Sequence, residues 1–202
     1  MTDDPTVRDH VLSAAVDAAA IHGIAKLSMA DVARLAGMSR QTVYRHFPSK
    51  DALVAEVIAS ETAHLVDGVV AATQVHDDPR DALEAALLAA LVATREHPLL
   101  DRLIRTEPES LLPLLTTDGG PVMGFVRGVV ERIIAERVLV DVDPAPDPVA
   151  VRRFADIVTR LLVSYAVSAP DDPPELVASI AATILTHGAL RATAISAHGG
   201  AS

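Results

Sequence analysis

The chain has 202 residues, half of them apolar, with 17 Lys and Arg against 27 Asp and Glu and no Cys. This length is enough to bury a substantial core, and the apolar content excludes disorder along the whole chain. The absence of Cys excludes disulfides, thiolate nucleophiles and Cys-ligated metal sites. The longest apolar run, over residues 85–93, is too short to span a bilayer. Acidic rather than basic residues follow Met1, unlike a signal peptide, so we expect a cytoplasmic protein.

The spacing of apolar residues predicts an all-α fold. Apolar residues recur every three or four positions nearly throughout, and the alternation typical of strands is almost absent. Thirteen prolines divide the chain into segments that begin or end helices. The predicted helices cover residues 5–22, 28–36, 39–46, 49–75, 79–96, 98–105, 108–116, 121–140, 147–168 and 173–192.

Two short helices near the N-terminus form a predicted helix-turn-helix. Ser28 and Asp31 have the spacing of a capping box at the start of the first helix. Gly37 is placed to end that helix, because glycine readily adopts the positive φ of a helix C-cap. Ser39 follows as the N-cap of the second helix. Two helices joined by a tight turn that contains glycine are typical of this DNA-binding motif.

The second helix of the motif carries side chains suited to reading DNA. We expect Val43 and Phe47 to face inward, against the first helix at Ala33. The residues expected to remain exposed are Arg40, Gln41, Thr42, Tyr44, Arg45 and His46. Arg and Gln pair with base edges in the major groove, and a Thr methyl fits a thymine methyl. Tyr44, His46 and Lys50 are suited to phosphate oxygens, with Ser28 and Ser39 as further candidates.

The charge distribution is consistent with DNA binding but does not require it. Residues 1–50 carry six basic and five acidic groups, and residues 51–202 carry 11 basic and 22 acidic groups. The N-terminal quarter can thus offer a local cationic face on an acidic protein. The alternative is that the five basic residues between positions 26 and 50 form an ordinary solvated surface.

Residues 7–53 closely resemble the TetR family of repressors. The resemblance is carried above all by Val43-Tyr44-Arg45-His46-Phe47, followed by Lys50 and Leu53. Two differences from the family pattern stand out. Gln41 occupies a position where the family often has Gly. Residues 2–5 are too acidic for the basic N-terminal arm that some members insert into the minor groove.

The resemblance implies an all-α homodimer that binds a palindromic operator and responds to a small molecule. Residues 1–50 would form the helix-turn-helix DNA-binding domain, and residues 51–202 the domain for effector binding and dimerisation. The leading hypothesis is a repressor that leaves DNA when its effector binds. Activation would use the same helix-turn-helix and stays open.

The last two long helices are predicted to form the dimer interface. Residues 147–168 and 173–192 are apolar on more than one face, so both must be covered. Two such helices from each protomer would make a four-helix interface. The alternative is that these faces pack within one chain.

The effector site is expected among the middle helices. Their lining of Leu, Ala, Val and Ile, with few aromatic residues, favours an aliphatic or acyl-type ligand over a flat or cationic drug. The candidate residues are Arg102, Arg105, Met123, Phe125 and Tyr165. The two arginines, with Glu107, could anchor a polar head group, but an ordinary surface charge is the simpler interpretation of each.

Other functions find little support in the sequence. It contains no GxSxG elbow, no phosphate-binding glycine loop and no metal-binding spacing such as HExxH, so we expect no enzyme activity, cofactor or metal. His64, His97 and His187 could line a pocket, but structural or solvent-facing roles are the simpler interpretation. A helical adaptor that binds protein through its acidic part is the remaining alternative.

Overall fold

The computed structural model describes residues 5–115, 120–139, 147–168 and 171–198, and the described residues contain helices and no strand. A five-residue π-helical segment, Ile134–Val138, continues the eighth helix. The helices are α1 (Pro5–His22), α2 (Met29–Leu35), α3 (Arg40–His46), α4 (Lys50–Thr73), α5 (Pro79–Glu96), α6 (Pro98–Thr106), α7 (Pro108–Leu115), α8 (Gly120–Ile133), α9 (Pro148–Val167) and α10 (Pro174–His198).

Proline sets most of the helix starts. Six of these helices, namely α1, α5, α6, α7, α9 and α10, begin with this residue. Proline is favoured in the first turn because its fixed φ suits a helix and its missing N–H would have no partner there. The predicted boundaries are confirmed to within about two residues at nearly every end. The exceptions are α10, which continues to His198, and the predicted 121–140 helix, which changes to π geometry at Ile134.

The chain forms two compact units. The N-terminal unit comprises residues 1–63 and 97–114, and the C-terminal unit comprises residues 64–96 and 115–202. Helix α4 contributes its first part to one unit and its last part to the other.

The N-terminal unit has its core around the helix-turn-helix. Val11, Val32, Val43 and Phe47 are almost completely buried, and α1 packs against both α2 and α6. The predicted inward orientation of Val43 and Phe47 is confirmed, as is the burial of Ala33. The Arg8 guanidinium also lies 4.6 Å from the centre of the Phe47 ring, a cation–π contact.

The C-terminal unit has an aliphatic core built by α5, α8, α9 and α10. Leu87, Ile134 and Val158 are among its buried residues. Helix α10 packs along α5, and α8 packs along α9. Arg80 of α5 bonds to hydroxyl groups of α10, and Arg137 donates hydrogen bonds to the carbonyl oxygens of residues 73 and 76 at the end of α4.

Candidate functional site

The start of α2 is fixed by a side-chain cap. The Ser28 hydroxyl accepts a hydrogen bond from the Asp31 amide at 3.2 Å and donates one to Asp31 Oδ2 at 2.5 Å. This hydrogen bond lowers the pKa of Asp31, and the nearby Arg34 guanidinium lowers it further. The predicted cap by Ser28 is confirmed, and the Asp31 carboxylate reaches back to the Ser28 hydroxyl, whereas a capping box would place it on the Ser28 backbone amide.

The turn between α2 and α3 depends on Gly37. This residue has φ of +63°, in the region where glycine is favoured. The Gly37 amide donates to the Arg34 carbonyl at 3.2 Å, and the Met38 amide donates to the Ala33 carbonyl at 2.9 Å. These two bonds make a Schellman motif, which ends α2 and directs the chain into α3.

The start of α3 is capped by Ser39. Its hydroxyl accepts a hydrogen bond from the Thr42 amide at 3.1 Å and lies 2.9 Å from the Thr42 hydroxyl. Helix α3 therefore has both ends fixed, by Ser39 at one end and by buried Phe47 at the other. Such a helix presents its outer side chains in a defined geometry.

The outer face of α3 carries four exposed polar side chains. They are Arg40, Gln41, Tyr44 and Arg45, and Thr42 is half-buried beside them. Tyr44 is 50% exposed, so a large part of this aromatic side chain belongs to the outer face. The arrangement offers hydrogen-bond donors and no carboxylate, as recognition of a polyanion requires.

The expectation that His46 is exposed is wrong. His46 is only 8% exposed and shares the inner face of α3 with Val43 and Phe47. The reason is helical geometry, because positions 43, 46 and 47 are separated by three and four residues and so lie on one face. His46 therefore belongs to the packing of the helix-turn-helix and leaves the set of candidate DNA contacts.

Three other candidate residues have structural partners. Ser28 and Ser39 cap helices, as described. The Lys50 ammonium donates a hydrogen bond to the Ala25 carbonyl at 2.7 Å. An ammonium has three donors, so this bond leaves Lys50 the capacity to contact a phosphate. Phosphate contacts by these three residues stay predictions.

A buried carboxylate holds the turn that precedes α2. Glu107, at the junction of α6 and α7, is 7% exposed and accepts a hydrogen bond from the Ala25 amide at 3.2 Å. It also lies 3.5 Å from Arg102. Gly23, with φ of +87°, leaves space for it, because a Cβ there would lie 1.4 Å from Glu107 Oε1. We call this contact of Glu107 with the turn at Ala25 the Glu107 clamp. No local signal predicts it, because Ala25 and Glu107 are 82 positions apart.

The candidate effector residues are distributed over both units. In the N-terminal unit, Arg102 lies beside Glu107, and Arg105 pairs with Asp101. In the C-terminal unit, Met123 is half-buried and Phe125 exposed on α8. Tyr165 of α9 lines a cavity of about 220 Å³ between α5, α9 and α10.

The histidines proposed as pocket residues have structural contacts instead. His97 caps α6 through Nδ1, and its Nε2 lies 2.8 Å from Glu61. The His187 ring bonds to the Thr183 carbonyl. Among the described residues, no group of His, Asp and Glu could hold a metal ion. Nor is any described helix both long and apolar enough to cross a membrane.

Two family models match the chain. Residues 11–57 match the model of bacterial regulatory proteins of the tetR family. Residues 78–186 match the model of the C-terminal domain of bacterial tetracyclin repressors. The first match includes the helix-turn-helix, and the second covers more than half of the chain.

Curated relatives are transcriptional regulators. The HTH-type transcriptional regulator AlkX of Mycobacterium tuberculosis is 26% identical over 181 residues, covering 88% of this chain and 81% of that protein. The uncharacterized HTH-type regulator Rv2250c of the same species is 30% identical over 97 residues, or 48% of this chain and 49% of that protein. The chain thus spans about half the length of Rv2250c.

Solved structures share the fold. The TetR-family repressor AlkX from a Dietzia strain, implicated in the biodegradation of n-alkanes, superposes with a TM-score of 0.69 at 23% identity, covering 91% of this chain and 95% of that one. The fatty acid degradation regulator FadR from Bacillus halodurans gives a TM-score of 0.55 at 14% identity, covering 93% and 98%.

Proposed function

Because the chain belongs to the TetR family of bacterial regulatory proteins, we propose that it is a ligand-responsive repressor acting in the cytoplasm. It binds a palindromic operator as a homodimer and is released by a small apolar effector. Members of this family are DNA-binding transcriptional regulators rather than enzymes. The observation that carries the proposal is the exposed, acid-free polar face of α3.

The roles on α3 follow from the chemistry of each side chain. Arg40 and Gln41, at the N-terminal end of the helix, read base edges, and Thr42 adds contact with a thymine methyl. Tyr44, Arg45 and Lys50 contact phosphates and fix the register of the helix. Sequence specificity thus depends on Arg40, Gln41 and Thr42. Affinity for any duplex depends on Tyr44, Arg45 and Lys50.

The apolar surface of α9 and α10 supports dimerisation through these helices. Large apolar side chains stay exposed along both of them in the single chain: Val149, Ile157, Leu161, Leu176, Ile180 and Ile184. A contiguous apolar surface of this kind marks a protein interface. Two helices from each protomer form a four-helix interface with two-fold symmetry, which matches a palindromic operator.

The effector acts by changing the separation of the two recognition helices. These must lie about 34 Å apart, one turn of DNA, to enter successive major grooves. Helix α4 runs from Lys50, next to the helix-turn-helix, to Thr73, whose carbonyl oxygen is held by Arg137. A ligand that displaces the C-terminal part of α4 moves its N-terminal part as well. A coupling free energy of about 1–3 kcal/mol between effector binding and DNA binding is enough for a useful switch.

DNA recognition is tested by fluorescence anisotropy with the duplex upstream of the coding region and a scrambled duplex, each at two salt concentrations. We expect tight binding to the first duplex only, weakened by salt because phosphate contacts release counterions. If both duplexes bind equally weakly, the same titration is repeated with duplexes selected from random DNA. Failure to bind any selected duplex would contradict the proposal and favour the protein-binding adaptor.

Two variants separate base reading from phosphate contact. Arg40→Ala should relax the sequence preference at particular operator positions, with a loss of about 1–3 kcal/mol on the best site. Tyr44→Ala should weaken specific and nonspecific binding alike. Arg132→Ala removes an exposed arginine from α8, outside α3 and the proposed dimer helices, and serves as the control, with no expected change. An unchanged selected motif for Arg40→Ala would contradict its assigned role.

The dimer interface is tested by Ile157→Glu, which places a charge on the exposed face of α9. Val75→Glu is the matched control, because Val75 is exposed and lies outside α9 and α10. Light scattering should give a dimer for the wild type and the control and a monomer for Ile157→Glu. A dimer in all three proteins would place the interface elsewhere.

A further inference from the structure

One arginine of α1 joins the end of α3 to helix α4. The Arg8 guanidinium donates a hydrogen bond from Nη1 to the His46 carbonyl oxygen at 3.4 Å, and its Nη2 lies 2.9 Å from Glu56 Oε1. Its Cζ atom lies 4.6 Å from the centre of the Phe47 ring. His46 is the last residue of α3, Phe47 is its C-cap, and Glu56 lies on α4. A single planar group therefore contacts two helices and the residue that ends one of them.

These contacts suit the chemistry of a guanidinium. The last carbonyl groups of a helix have no partner within the helix, and a cation near them is favourable. A guanidinium carries five donors in a fixed planar arrangement and also stacks on aromatic rings, whereas a lysine ammonium is a compact point charge. Arg8 can therefore bond to α3, pair with α4 and lie over the Phe47 ring at the same time.

The angle between α3 and α4 depends on side chains that bridge them. Among the described helices, α3 packs along α2 rather than along α4, and residues 47–49 separate α3 from α4. Arg8 bridges this turn, from His46 before it to Glu56 after it. Helix α4 is also the helix through which we propose that the effector acts. A movement of α4 that displaces Glu56 takes away one of the groups that hold Arg8 against the end of α3.

We propose that Arg8 is a positioning residue for DNA recognition, which transmits the position of α4, through Glu56, to the C-terminal end of α3. It holds the angle at which Arg40 and Gln41 meet base edges, and it does not contact DNA itself. This inference rests on the proposed function, since it requires that α3 reads DNA. It deepens that function by naming the contact through which α4 controls α3.

The test compares specific with nonspecific binding by the full chain. Fluorescence anisotropy is measured at several salt concentrations with a duplex that the wild type selects from random DNA and with a scrambled duplex of the same length. Arg8→Met keeps the apolar stem of the side chain and removes its donors and charge. It should weaken binding to the selected duplex about ten-fold, the cost of roughly one mismatched base pair. Binding to the scrambled duplex should change little.

A second arginine variant separates positioning from charge. Arg8→Lys keeps the positive charge and loses the planar set of donors. It should therefore also lower the ratio of specific to nonspecific affinity, by a smaller factor than Arg8→Met. The melting temperature of each variant is measured by circular dichroism, and all titrations are made where every protein is folded. A residue needed only for folding would lower the melting temperature and leave the ratio of the two affinities unchanged.

Removing the partner on α4 gives a prediction of opposite sign to simple electrostatics. Loss of a negative charge near the DNA-binding face should by itself strengthen binding to any duplex. Glu56→Ala should instead weaken binding to the selected duplex about three-fold, because Arg8 loses an exposed ion pair. Asp51→Ala is the matched control, since Asp51 is exposed and also lies on α4, and it should strengthen binding to both duplexes slightly. The double variant Arg8→Met/Glu56→Ala should lose no more than Arg8→Met alone, because both changes break the same contact.

Three results would overturn the inference. Equal losses on both duplexes, with a salt dependence reduced by roughly 0.9 in slope, would make Arg8 a phosphate contact. An unchanged affinity ratio in Arg8→Met would restrict Arg8 to folding. Additive losses in the double variant would show that Arg8 acts independently of Glu56. Specific binding by the wild type together with any of these results refutes the role of Arg8 and leaves the repressor proposal standing, whereas a wild type that selects no duplex refutes both.

Discussion

Each unit of the molecule has its own apolar core, but the two units differ in the polar contacts added to that core. The N-terminal unit has polar contacts between distant parts of the chain: Glu107 and Lys50 each bond to Ala25, and His97 contacts Glu61. The C-terminal unit also has such contacts, from Arg80 and Arg137, but they surround a continuous aliphatic core with cavities lined mainly by Leu, Val and Ile. Hydrogen bonds are directional, whereas apolar packing depends mainly on the area buried.

This difference suits the two tasks that we propose for the units. A surface that reads DNA must hold several side chains in a fixed geometry, which directional bonds provide. A region that admits an aliphatic ligand must tolerate changes of shape, which apolar packing around a cavity allows. The comparison predicts that substitutions in the N-terminal unit act through specific partners, while exposed apolar side chains of the C-terminal unit contribute little to the stability of the single chain.

The largest expected effect on the free energy of unfolding comes from replacing one phenylalanine by alanine in each unit and comparing the two losses. Phe47 is 2% exposed in the N-terminal unit, and Phe125 is 47% exposed in the C-terminal unit. Phe47→Ala should lower the free energy of unfolding by about 3–5 kcal/mol, because it leaves a cavity and removes the Arg8 contact. Phe125→Ala should change it by less than about 1 kcal/mol. Urea unfolding measures both, and similar losses would contradict the contrast between the sites.

The second prediction concerns the Glu107 clamp. Glu107→Ala should destabilise the chain by about 2–4 kcal/mol, since it leaves Arg102 and the Ala25 amide without their buried partner. Gly23→Ala should cost about 2–3 kcal/mol, from its positive φ and from the collision of its Cβ with Glu107.

A double-mutant cycle tests whether the two residues act together. With Glu107 already replaced by Ala, the collision is gone, and Gly23→Ala should cost only about 1 kcal/mol for the left-handed backbone. Gly37→Ala is the control, because Gly37 also has positive φ but a Cβ there would meet nothing. If the costs of Gly23→Ala and Glu107→Ala simply add, the Cβ at position 23 does not collide with the Glu107 carboxylate.

Local signals explain what could be predicted from the sequence. Ser28, Gly37 and Ser39 act on residues within a few positions, so the caps and the turn of the helix-turn-helix could be predicted. Proline set six further helix starts in the same way. These signals act within a few residues of the chain and do not require knowledge of tertiary contacts.

Tertiary contacts explain what could not be predicted. His46 was expected on the outer face because histidine is polar, whereas packing places it with Val43 and Phe47. Glu107 was expected at most to anchor a ligand, and its actual partner is the backbone of Ala25. The cavity beside Tyr165 depends on how three separate helices meet. Each of these features needs the positions of residues far apart in sequence.

The smallest expected effect concerns the Asp31 cap and its dependence on pH. The hydrogen bond from Ser28, helped by Arg34, lowers the pKa of Asp31 below its ordinary value of 3.8. A carboxyl with a lowered pKa in the folded state stabilises the fold above its unfolded value, and this contribution is lost as pH falls through the folded value. Asp31→Asn should therefore be slightly less stable than wild type at pH 7, and the difference should disappear as pH falls below 3.8.

The Ser28→Ala variant identifies the cause. It removes the hydrogen bond that contributes most to the lowered pKa of Asp31, so that pKa should move back toward 3.8. In this background, the pH-dependent part of the Asp31→Asn effect should shrink, while the loss of the cap itself costs about 1 kcal/mol at every pH. Urea unfolding of the four proteins between pH 2.5 and 7 measures this, at roughly half-unit steps around the carboxyl range. An unchanged pH dependence after Ser28→Ala would assign the shift to Arg34, and the cap would then contribute through its backbone hydrogen bond alone.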